Sequence, residues 1–99
     1  MPEQHGTVWV PLQEREVTAS EAEWLRALRT AAPNIEVDRM AQVAWVGSLR
    51  WQWQVVSPLQ LGALSLPRLR VTVFAAQEAF AAAQQLLATL DARMRRGGG

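Results

Sequence analysis

The side chains with chemical capacity in this chain are arginines and tryptophans. All ten basic residues are arginine, five tryptophans occur in 99 residues, and cysteine is absent. Without cysteine there is no thiolate nucleophile, no thiolate metal ligand and no disulfide. His5 is the only histidine and lies in a polar N-terminal stretch, so no Ser–His arrangement can be built around a fixed imidazole. The nine acidic residues are scattered without metal-ligand spacing. The glycines form no phosphate-cradling loop. Pro2 precedes the first strand by several residues, unlike the N-terminal proline of tautomerases, which lies inside the strand. Gly97-Gly98-Gly99 ends the chain in a diglycine like that of ubiquitin-like modifiers, but it follows a helix where those tails leave a strand. The expectation is a non-enzymatic protein with no cofactor and no metal.

Charge and length narrow this further. Arginine alone among the cations fits either a GC-rich genome or selection for forked phosphate contacts. A net charge of +1 does not by itself announce a nucleic-acid binder. The length suits one domain over 1–99, with flexible tails at 1–6 and 96–99. The N-terminus is polar and no apolar run approaches membrane-spanning length, so a soluble, cytoplasmic protein without membrane contact is expected.

The elements that must position these side chains follow from periodicity. Thr7–Leu12 alternates as a strand, with Pro11 admissible only at an edge or near an end. Thr18-x-x-Glu21 and Ser20-x-x-Glu23 are overlapping capping boxes. They precede a helix whose buried side is Trp24, Leu25, Leu28, Ala31 and Ala32, ending at Pro33-Asn34. Arg26 and Arg29 lie on its flank. Met40–Val46 and Leu49–Val56 alternate around Gly47-Ser48, the pattern of a two-residue type II′ hairpin. That register pairs Val46 with Leu49, Ala44 with Trp51, Gln42 with Trp53 and Met40 with Val55 on the face toward the helices. The other face carries Ala41, Val43, Trp45, Arg50, Gln52 and Gln54, with Trp45 opposite Arg50 as a cation–π pair.

Ser57–Pro67 is a leucine-rich connection that partly extends a strand and turns at Gly62. Leu69–Phe74 is the final strand, running almost directly into a helix with the stripe Ala76, Ala79, Phe80, Ala83, Leu87, Leu90 and Met94. The outer face of that helix, from Glu78 through Ala92, is nearly uncharged. Arg93, Arg95 and Arg96 complete its last turn, where cations favour the helix dipole. The expected fold is α+β, a two-layer β-α-β-β-β-α sandwich with a four-stranded sheet and both helices on one face.

Among the tryptophans, Trp24, Trp51 and Trp53 fall on core-facing positions. Trp45 falls on the helix-free face, where it joins Ala41, Val43 and Val56 in an apolar patch. A partner surface is therefore expected around Val43, Trp45, Arg50, Gln52 and Val56, serving a homodimer or another protein.

Glu78-Ala79-Phe80-Ala81-Ala82-Ala83, continuing through Leu87, Leu90 and Met94, resembles the last helix of the ribosome hibernation-promoting factors, also called ribosome-associated inhibitors. Val17-Thr18 before the first helix is similar to that family's usual start. The resemblance covers most of the chain and implies a β-α-β-β-β-α domain that binds the small ribosomal subunit or its rRNA. It places RNA contacts on Arg26, Arg29, Arg93, Arg95 and Arg96. The chain departs from the family in its second helix, whose exposed stripe is neutral where family members are basic.

Overall fold

The computed structural model describes residues 6–97, with side chains described as far as Arg95. Its elements are β1 (Trp9–Val17), α1 (Glu21–Ala31), β2 (Glu36–Asp38), β3 (Val43–Val46), β4 (Leu49–Leu61), β5 (Leu64–Ala76), a 3-10 turn at Gln77–Ala79, and α2 (Phe80–Gly97). The strands form one antiparallel sheet in the order β1-β5-β4-β3-β2. The architecture is α+β, but the sheet has five strands where four were expected. The extra strand is β2. Glu36-Val37-Asp38 offers one apolar residue between two carboxylates, so it has no legible alternation. It pairs because the outer edge of β3 would otherwise leave backbone groups without partners.

The β3–β4 hairpin has the expected register near its turn, with Val46 opposite Leu49, Ala44 opposite Trp51 and Trp45 opposite Arg50. Gly47 takes φ +54, the left-handed value that the first position of a II′ turn requires. Further from the turn the expected pairing fails. Asp38 Oδ1 accepts the Ala41 N–H at 3.1 Å, and Gln42 adopts φ +58. This side-chain turn ends the strand before Met40 and Ala41 can join it. To β4, Gln42 keeps one backbone bond, its carbonyl accepting the Trp53 N–H at 3.2 Å. Met40 does not meet Val55: it is 98% exposed, and Val55 is 66% exposed.

Residues 57–67 are the distal half of a long hairpin rather than a loop between strands. β4 continues to Leu61, β5 begins at Leu64, and Gly62 turns the chain with φ +61. A bulge between Val56 and Leu59 absorbs Ser57-Pro58, where proline cannot donate to the ladder. Beyond the bulge Leu59 pairs with Leu66 and Leu61 with Leu64. This arm projects past the helices, and the long axis of the molecule reaches 47 Å. β1 is likewise longer than expected, with Pro11 beside a bulge on an edge strand.

Alternation sends Ala44, Leu49, Trp51, Trp53, Leu69, Val71, Val73 and Ala75 to one side of the sheet, where they are buried with residues of both helices. The two helices therefore share that face. From α1 come Trp24, Leu25, Leu28 and Ala31, and from α2 come Ala83, Leu87 and Leu90. Of the two capping boxes the second forms: Ser20 Oγ accepts the Glu23 N–H at 3.1 Å and Glu23 Oε1 accepts the Ser20 N–H at 2.9 Å. Such a cap is worth about 1 kcal/mol. The α2 stripe starts later than its periodicity suggests. Ala76 still belongs to β5, Ala79 to the 3-10 turn, and Phe80 is exposed. α2 runs to Gly97, into the stretch from residue 96 that was expected as a tail. Pro2, His5 and the rest of 1–5, with Gly98 and Gly99, lie outside the described residues.

Candidate protein-interaction face

The face of the sheet turned away from the helices is built by the same register. Pro11 of β1, Phe74 of β5, Arg50 of β4, Trp45 of β3 and Glu36 of β2 form one row across all five strands. Glu14, Thr72, Gln52, Val43 and Asp38 form the next. Four of the five expected interface residues, Val43, Trp45, Arg50 and Gln52, stand together in these rows. Val56 lies further along β4, opposite Arg68 near the base of the arm.

Arg50 is the centre of this face. Its guanidinium lies 4.7 Å from the centroid of the Phe74 ring and 5.7 Å from that of Trp9. Trp45, expected as its cation–π partner, is its cross-strand neighbour, but the guanidinium leans the other way, over β5 and β1. The reason is that a central strand has two neighbours, and β5 offers an aromatic ring as well. Arg50 Nη2 donates to Gln52 Oε1 at 3.2 Å, while Nε is buried with no hydrogen-bond partner. Four ion pairs involve other arginines, and among the described residues Arg50 has none. Burial pushes its pKa down from the ordinary arginine value. Trp45, Val43 and Val56 are half-buried rather than open, and Gln52 is exposed.

The adjacent part of the face is polar. Glu14, Gln52, Gln54, Arg70 and Thr72 surround a depression of about 240 Å³. Glu16 there is shared by Arg68 at 3.5 Å and Arg70 at 3.6 Å. Trp9, Phe74 and Glu36 were not among the expected interface residues. The alternation of Leu69–Phe74 already sets Phe74 opposite the core side, but only the pairings of β1 and β2 reveal that Trp9 and Glu36 share its face.

The arginines expected to meet RNA do not form one cluster. Arg26 and Arg29 are exposed on α1 and, with Ala22, Leu25, Thr30 and Arg39, line a depression of about 400 Å³. Arg39 is bonded to Glu21 Oε1 at 2.7 Å. The other oxygen of Glu21 accepts Trp53 Nε1–H at 2.7 Å, and these two donors, Arg39 first, hold its carboxyl below the usual carboxylate value. Arg93 is committed elsewhere: its Nη1 donates to the Ala31 carbonyl at 3.0 Å, satisfying the last turn of α1. Arg95 is exposed, and the Arg96 side chain lies outside the described residues. The exposed positions Ala81, Ala82, Gln84, Gln85, Ala88 and Thr89 leave the outer side of α2 uncharged.

Among the described residues no group of three or more His, Cys, Asp or Glu is placed to hold a metal ion. No described helix is long and apolar enough to cross a membrane. No family model matches the chain, and no curated protein matches it. The likeness to hibernation factors therefore rests on the residues that carry it.

Proposed function

We propose that this chain is a non-enzymatic cytoplasmic protein-interaction module that docks a partner on its open sheet face around Arg50 and Trp45. The observation that carries this reading is Arg50 itself. A half-desolvated cation without a carboxylate, framed by Trp9, Phe74 and Trp45, has the composition of an interface hot spot, where arginine and tryptophan are enriched. A docking partner that brings an acceptor to Arg50 gains a charge-assisted bond in a site already partly free of water. The test is capture from a native lysate by the wild type and by Trp45→Arg. The expected result is a set of retained proteins that the variant loses while its circular dichroism is unchanged. Identical retention by both, together with a wild type that does not self-associate, would refute the reading.

A second reading, RNA or small-subunit association of the hibernation-factor type, is favoured by one feature. Arg26 and Arg29 are exposed without ion pairs among the described residues and border the same depression as Arg39. Only a few phosphate contacts are available this way, so the salt slope of binding should be small, about one unit per contact. Co-sedimentation with small subunits at about 50 mM salt, lost in Arg26→Gln/Arg29→Gln, is the expected result. Absence of the wild type from that fraction removes this reading.

A further inference from the structure

We infer that the partner seated on the open face is a second copy of this chain, related by a two-fold axis running along β3 over Trp45. This rests on the open face being the docking surface and names its occupant. The argument is the order of charges in one row. Trp45 has Arg50 on one side, across the β3–β4 ladder, and Glu36 on the other, across the β2–β3 ladder. Neither has an ion pair among the described residues: Arg50 has a buried Nε with no hydrogen-bond partner, and Glu36 is exposed.

A closed symmetric pair requires a self-complementary surface, in which residue i meets j and j meets i. Two in-plane axes through Trp45 are available for face-to-face stacking. An axis along the row would lay Arg50 on the partner's Arg50 and Glu36 on the partner's Glu36, like charge on like. An axis along the strand exchanges the two sides of Trp45. It lays Arg50 over the partner's Glu36, Glu36 over the partner's Arg50, and Trp45 on Trp45. In the next row Val43 lies on the axis and the neutral Gln52 faces the partner's Asp38, so no like charges meet there. Sheets stack about 10 Å apart and neighbouring strands lie about 4.8 Å apart, within the combined reach of arginine and glutamate.

The test uses Arg50→Glu and Glu36→Arg in sedimentation equilibrium of the full chain, each variant first checked by circular dichroism. The wild type is expected to dimerise. Each variant alone faces like charges at both contacts, and its dissociation constant should rise at least about tenfold. Mixed together, the two variants present unlike charges at both contacts, so they should form a heterodimer close to the wild type in affinity. A merely structural defect cannot be repaired by mixing. If Arg50→Glu does not fold, Glu36→Arg at its exposed edge still decides, since it alone must weaken the dimer. A dimer indifferent to Glu36→Arg, or a mixture no tighter than its components, overturns the proposed axis. A wild type monomeric at millimolar concentration overturns the second copy. In that case, loss of lysate partners by Trp45→Arg leaves the docking face standing, and no loss removes both.

Discussion

The guanidinium of Arg50 rests 4.7 Å from the centre of the Phe74 ring, on the strand opposite to the one that carries Trp45. The aromatic contact offsets part of the cost of drawing a cation out of water, typically by 0.5 to about 2 kcal/mol. The orphan Nε is not offset. Arg50→Leu should therefore leave the monomer within about 1 kcal/mol of wild-type stability in urea unfolding, because apolar replacements of partly buried charges are often neutral. It should also abolish docking. Destabilisation of more than about 3 kcal/mol would mean that Arg50 is a structural residue.

The hairpin register separates the tryptophans by role. Trp51 is 3% exposed against the helices, and Trp45 is half-buried on the other side of the sheet. Trp51→Ala should cost about 3–5 kcal/mol, enough to unfold a marginal domain, while Trp45→Ala costs much less. Equal losses in denaturant midpoint would contradict the register, since a one-residue slip exchanges the faces.

Glu21 joins α1 to β4 and to the loop after β2 through Trp53 and Arg39. Its folded pKa lies below the ordinary 4.5. The stability it contributes is thus complete above that value and is lost as pH falls through the lower folded one. Glu21→Gln should flatten the acid side of the stability curve below about pH 4.5 and leave its shape at neutral pH unaltered. An acid limb identical to wild type would show that Glu21 is not linked to folding. Glu23, lowered by its bonds to Ser20, acts in the same direction.

Arginines on the helices should divide by their bonds. Arg26→Gln and Arg29→Gln alter only exposed side chains and should shift stability by no more than about 0.5 kcal/mol each. Arg93→Gln removes a charge-assisted bond to the Ala31 carbonyl and should cost about 1–2 kcal/mol. Thermal melts showing all three alike would contradict the tie between α1 and α2.

The hairpin around Gly47-Ser48, the core face of α1, the α2 stripe from Ala83 onward and the common face of Val43, Trp45, Arg50 and Gln52 were legible because each follows from local period and one turn. The failures were non-local. Nothing between Glu36 and Asp38 marks a strand, since it exists only by pairing with β3. The alternation of the arm is interrupted at Ser57-Pro58, so a continuous ladder looks like a loop in sequence. Met40 keeps the alternating pattern, but the Asp38 turn removes it from the sheet. The choice of Phe74 and Trp9 over Trp45 by Arg50 depends on strand order, which one sequence does not display.

The arm gives a further expectation. Leu61 and Leu64 are 54% and 56% exposed and face each other across its tip. Leu61→Ser with Leu64→Ser should change the unfolding midpoint little, on the order of 0.5 kcal/mol per site. A large loss would mean that the tip packs on the body of the domain.

The measurement that tests the open face most directly is hydroxyl-radical footprinting of the chain when dilute and again when bound to its partner. Trp45 and Val43 should become protected on binding, while the exposed Arg26, Arg29 and Thr30 at the α1 depression keep their reactivity. Protection at the α1 depression with no change at Trp45 and Val43 would contradict the account and place binding on the helical side.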